Sequence, residues 1–161
     1  MDKKLDNIQL KSSQTDEILN NFRKQLNIWG LEMPAVESLI MDFGLGDYER
    51  VGIIECWVVN EVEAGYCGKF LFLFDGQRCP MHGHSQKHET FMVVKGKIRM
   101  TAGTEERIMD QGDVLVMPAG QKHSFLGIGN TLVLEISTPC NVDDNDFQDA
   151  AIAAWLKKSL S

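Results

Sequence analysis

From residue 51 onward the chain alternates short apolar runs with turn-forming residues, and that rhythm restricts what it can fold into. The runs are VGIIECWVVN (51–60), KFLFLF (69–74), TFMVVKGKIRM (90–100), DVLVMPAG (113–120) and NTLVLEIS (130–137). Each is rich in β-branched or aromatic side chains, which suit a pleated surface, and Gly, Asp or Pro separates them. The spacing predicts an all-β sandwich or barrel. Helical signals flank it. In residues 13–29, Ser13 or Thr15 can cap a helix whose apolar face runs through Ile18, Leu19, Phe22 and Leu26, with Gly30 as its stop. A second short helical piece is expected from Pro34, in MPAVESLIMDFGLG, and a third in DFQDAAIAAWLKKSLS, with Ile152, Trp155 and Leu156 as its packing stripe.

A length of 161 residues suits one domain, 1–161, with a sizeable core. The chain is 43% hydrophobic and 24% charged, as soluble globular proteins are, and no apolar run is long enough to span a bilayer. No membrane partner is expected. The N-terminal stretch lacks an apolar signal core, and the four cysteines form no CxxC pair, so a cytoplasmic protein with free thiols is expected. A net charge of −7 without a Lys/Arg stripe argues against nucleic acid.

The stretch HGHSQKHETF (82–91) holds three of the four histidines and a glutamate. His82 and His84, two apart on a strand, project from one face and can share an ion. Glu89 falls on the opposite face of a continuous strand, so the chain must turn through SQKH to bring Glu89, Phe91 and Val93 inward. In GDVLVMPAGQKH (112–123), a turn, a strand and a Pro-Gly bend deliver His123 from a distant part of the sequence. His88, beside Glu89, is expected to face outward.

These two stretches resemble the paired motifs of the cupins. Gly76, His82, His84, Glu89 and Gly96 stand at the intervals of the first motif, and Gly112, Pro118, Gly120 and His123 at those of the second. The resemblance implies a mainly β, double-sheeted antiparallel barrel of the jelly-roll type over 50–138. An N-terminal helical extension (1–49) and a C-terminal helical tail (139–161) flank it. The implied metal ligands are His82, His84, Glu89 and His123. Three imidazoles and a carboxylate suit Mn2+ best, with Zn2+, Fe2+, Co2+ or Ni2+ also open.

A closer resemblance is to the short D-lyxose isomerases, carried by MDFGLG (41–46), YCGKFLFLFDGQRCPMHGH (66–84), KHETF (87–91) and LEISTPCNVDDNDFQD (134–149). It implies a sugar substrate, a homodimer, and Lys87 with Glu135 as the proton-transfer pair. On residue chemistry alone, Lys87 is either a solvated loop lysine or an amine whose pKa a nearby metal lowers, and Glu135 either points inward to a partner such as Lys69 or outward from an edge strand. Lys69 and Asp149 are the expected substrate contacts. The isomerases' Asp-Pro-Arg is here Asp149-Ala150-Ala151, so the family's arginine is missing and Arg78 is a candidate substitute. An iron-dependent oxygenase and a non-catalytic sugar-binding cupin are the other open readings.

Overall fold

The computed structural model describes residues 9, 10 and 12–159, and of residues 155–159 the backbone alone. Helix α1 spans Thr15–Trp29 and buries Phe22 and Leu26. Asp16 and Glu17 lie in its first turn, where the exposed amides favour negative charge. Neither expected cap acts: Gln14 occupies the cap position, and Ser12 organises the turn by accepting from the Gln14 amide through its hydroxyl and from the Thr15 hydroxyl through its carbonyl. Gly30, at φ 65°, closes the helix in the left-handed conformation that glycine adopts at least cost.

The helical piece expected after Pro34 is instead a strand, β1 (Ser38–Met41), paired antiparallel with β2 (Ile53–Glu61). Leu39 and Met41 enter the main core cluster while Ile40 enters a second cluster beneath α1, with Phe22, Leu26 and Phe72. A four-residue run wanted by two cores on opposite sides satisfies both with a period of two and neither with a helix turn. The sheet therefore begins well before residue 50.

The remaining strands are β3 (Tyr66–Leu73), β4 (Arg78–His84), β5 (Glu89–Ala102), β6 (Glu105–Asp110), β7 (Val114–Met117), β8 (His123–Ser137) and β9 (Asn145–Phe147). They form one curled antiparallel sheet in the order β1-β2-β3-β8-β4-β9, with β5 joined to β6, β7 and β8. This is the jelly-roll fold that the motifs imply. The long strands β5 and β8 bend together, their register slipping between Lys95 and Lys97. Gly96 makes that bend possible. It sits at φ 78°, and a Cβ there would overlap the Asn130 carbonyl oxygen and lie 3.0 Å from Thr131 Cα. Gly96→Ala is expected to cost about 3 kcal/mol, from left-handed strain plus the backbone clash, measured as a lower urea midpoint at unchanged slope.

After β8 the chain forms a 3-10 turn (Val142–Asp144), β9, and helix α2 (Ala150–Ser159). The tail is thus not purely helical, because β9 lies along β4 and gives the metal-motif strand its second neighbour. Ile152 is buried in the core, while the side chains of Trp155 and Leu156 lie outside the described residues. Among the described residues no helix is long and apolar enough to cross a membrane.

Candidate metal centre and active site

His82 and His84 project from β4 and His123 opens β8, whose first residue pairs with His82. All three are buried, and one ring nitrogen of each lies within 4.8 Å of the others. Their orientations are fixed from behind. The Pro80 carbonyl lies 2.8 Å from His82 Nδ1 and the Gln121 carbonyl 3.1 Å from His123 Nδ1. A carbonyl can only accept, so both Nδ1 atoms carry the proton and both Nε2 atoms present lone pairs, the tautomer a metal needs. Phe147 of β9 stacks on the His82 ring at 5.2 Å between centroids.

The donor set fits a divalent ion. His84 Nε2 and His123 Nε2 are buried with no hydrogen-bond partner among the described residues, although an unpaired buried polar atom is costly. Glu89 faces the same point, with Oε1 at 3.5 Å from His84 Nε2 and Oε2 at 3.3 Å from His123 Nε2. Burial holds all three imidazoles below their ordinary range, and for His84, with Lys87 reinforcing it, the value falls from 6.5 to about 4. The unfolded chain then binds more protons below pH 6.5 than the folded one does. Chelator-treated protein is expected to keep this stability above pH 6.5 and lose it as the pH falls towards 4, read as a falling urea midpoint.

Lys87 is not a solvated loop residue: it is 4% exposed, and its Nζ lies 2.5 Å from Glu135 Oε1 and 2.6 Å from Glu89 Oε1. Burial pulls its pKa down, but the Glu135 and Glu89 carboxylates outweigh burial and hold the ammonium above its ordinary value. Glu135 points inward. Burial alone would raise its pKa, yet Lys69 and Lys87 flank it and keep it well below the usual carboxylate range. Glu89 is pushed up to about 7 by burial and by Glu135.

The charges continue outward as an alternating chain. Lys69 Nζ lies 3.3 Å from Glu135 Oε2 and 3.3 Å from Glu55 Oε1, and 5.0 Å above the Trp57 ring. Trp57 Nε1 donates to Glu55 Oε2 at 2.7 Å. Sequence reasoning missed Glu55 and Trp57, although the alternation Ile53, Glu55, Trp57 along β2 places a carboxylate on the inward face of a strand. These groups, with Met41, Phe43, Phe91 and Phe147, line one cavity around the histidines. Asp149 lies apart: it is exposed and accepts the amides of Ala151 and Ile152, which caps α2 instead of facing the cavity. Ala151 and Arg78 are also exposed and outside the cavity lining, and His88 faces solvent.

Residues 72–137, which carry every one of these histidines, match the family model described as a cupin domain. The likeness to the cupins is carried by that stretch. The chain is 36% identical over 98 residues to the D-lyxose/D-mannose isomerase of Thermosediminibacter oceani, a match that covers 55% of this chain and about half (53%) of that one. It is 28% identical over 166 aligned positions to the D-lyxose ketol-isomerase of Cohnella laeviribosi, covering 85% of this chain and 89% of the relative. Among solved structures, the L-ribose isomerase of Cellulomonas parahominis superposes with a TM-score of 0.78 at 17% identity, over 93% of this chain and 97% of that one. At that identity the likeness speaks to the fold.

Proposed function

We propose that this protein is a metal-dependent aldose-ketose isomerase of the D-lyxose isomerase type, moving a proton between C1 and C2 of a free sugar through an enediol. The observation that carries the reading is Lys87 Nζ lodged between Glu135 and Glu89 beside the three-histidine cluster. The names of the two relatives support it. Glu135, which faces the cavity between Lys69 and Lys87, would take the proton from one carbon and return it to the other. Lys87, kept protonated, donates to the sugar oxygen on which negative charge grows. A divalent ion held by His82, His84, His123 and Glu89, which we take to be Mn2+, would supply Lewis-acid stabilisation of the sugar oxygens. Lys69 and Trp57 form the wall against which the rest of the sugar rests, and Lys69 takes the place of the missing arginine as the second cation of the cavity.

The cavity wall is mostly apolar, which an oxygenase would also use; what favours the isomerase is that the same cavity buries Glu55, Lys69, Lys87, Glu89 and Glu135 together, a set of ionisable groups suited to moving protons. We further propose a cytoplasmic homodimer, on the family resemblance and on the exposed apolar side chains Val114, Val116 and Ile136 of the outer sheet. Equilibrium sedimentation tests the dimer. The activity is tested by proton NMR of Mn2+-loaded protein in heavy water with lyxose, mannose, xylulose and fructose. Deuterium entering C1 or C2 is the expected result. Bound metal and sugar without any exchange would move the assignment to a sugar-binding cupin without turnover.

A further inference from the structure

The loop between β4 and β5 has to deliver a lysine into the cavity from an otherwise exposed turn, in which Ser85, Gln86 and His88 face solvent. Its hold comes from one side chain 57 residues downstream of Lys87. Asp144 Oδ1 accepts from the Ser85 amide at 2.9 Å and the Ser85 hydroxyl at 2.5 Å. Asp144 Oδ2 accepts from the Gln86 amide at 3.1 Å and the Lys87 amide at 3.0 Å. Four donors converge on one carboxylate. Burial opposes its ionisation, but these hydrogen bonds outweigh burial and hold it below the ordinary aspartate value.

Asp144 is itself held in place. The Asn141 carbonyl accepts its amide at 3.0 Å, β9 follows at once, and β9 pairs Phe147 with His82 and Asn145 with His84. The Gln148 amide donates to the Met81 carbonyl at 3.0 Å, fixing the far end. On the other side of Lys87, His88 and Thr138 exchange two bonds, His88 N to Thr138 Oγ1 and Thr138 N to the His88 carbonyl, each 3.0 Å. The backbone of Lys87 is therefore clamped from both flanks by residues that lie beyond β8. A long side chain on a free turn would sample many rotamers. On this turn it reaches one point between Glu89 and Glu135.

We propose that Asp144 is a positioning residue, which fixes the 85–87 turn and so sets Lys87 Nζ at the reacting centre. The link to turnover rests on the isomerase reading, whereas the link to Lys87 does not. Asp144→Asn is nearly isosteric, but its one amide oxygen cannot serve four donors, and its NH2 opposes N–H groups in either orientation. The exposed neighbour Asp146, which pairs with Lys122 at 3.0 Å, gives the control Asp146→Asn.

The experiment compares full-length wild type, Asp144→Asn and Asp146→Asn, loaded with diamagnetic Zn2+ for the spectra and with Mn2+ for the kinetics. It reads amide exchange at residues 85–87, the Lys87 ε-ammonium signal in lysine-15N-labelled protein, and kcat and KM. For Asp144→Asn we expect amide protection lost at 85–87 and kept in β5 and β8, a shifted and broadened Lys87 signal, and kcat lower by about tenfold or more with KM within about twofold. Asp146→Asn should match wild type in all of these. A Lys87 signal in Asp144→Asn identical to wild type would overturn the proposal, as would a lower melting temperature with kcat unchanged, which marks a purely structural role. Should wild type turn over no sugar, the isomerase reading fails, and the amide protection and the Lys87 signal alone decide whether Asp144 positions Lys87.

Discussion

Glu135→Gln is expected to slow proton exchange at C1 and C2 by roughly 10³-fold, within the range of a positioned acid or base. The substitution keeps the side-chain shape and removes the charge from the middle of the alternating chain. Glu135 is 3% exposed and accepts from Lys87 at 2.5 Å and Ser137 Oγ at 3.4 Å, with Lys69 at 3.3 Å. A glutamine there can present its oxygen to one ammonium only, and its NH2 then faces the other. Two buried cations lose their shared counter-charge, and removing one partner of a buried ion pair commonly costs about 3 kcal/mol or more. The variant should therefore unfold at lower urea as well as exchange more slowly. Metal binding separates the two effects, because Glu135 lies one carboxylate away from the histidines. Mn2+ stoichiometry equal to wild type, with exchange lost, is the result that assigns Glu135 to proton transfer. Exchange at the wild-type rate would remove it from the mechanism.

His123→Ala is expected to weaken Mn2+ binding by about a hundredfold or more, since changes in the outer shell of metal sites alone reach that size. His123 is fully buried, and its ring lies 4.4 Å from that of His82 and 5.4 Å from Phe91. Truncation removes a ligand and leaves a cavity bounded by those two rings, so stability should fall even without metal. Titration calorimetry with Mn2+ measures the first effect and urea unfolding of chelator-treated protein the second. Full occupancy by Mn2+ in the variant would take His123 out of the ligand set and leave the ion to His82, His84 and Glu89.

Much of this architecture was legible because the informative spacings are short. His82 and His84 share a face through the two-residue period of a strand, and Pro118 with Gly120 bends the chain just ahead of His123. The turn through SQKH also follows from the sequence, since Glu89 could not otherwise face the same point. What escaped depends on partners far away in the chain. Nothing local says that Ile40 will be claimed by α1 while Leu39 and Met41 are claimed by the barrel, so SLIM passes for a turn of helix. The two carboxylates that flank Lys87 come from β5 and from the far end of β8, so no local signal announces them. Asp149 looked like a site residue through family pattern alone; as an Asp placed just before a run of alanines, it satisfies the free amides at the start of α2. The four bonds to Asp144 left no sequence signal beyond an acidic cluster, which is usually solvated.

β8 carries His123 at its first position and Glu135 two positions before its end. The proposed ligand for the ion and the proposed base for the sugar are thus parts of one ribbon, and the number of residues between them fixes the distance across the cavity. Opposite, β5 advances from Lys95 to Lys97 while β8 goes from Leu132 back to Ile128, so the slack is already taken up at this one bend. An insertion or deletion of a single residue between Ser124 and Leu134 would turn one end of the ribbon inside out relative to the other. Such a change would alter no side chain of the site, yet it would part the carboxylate from the imidazole. In lineages of this chain, length within β8 should therefore vary less than the identity of most residues along it.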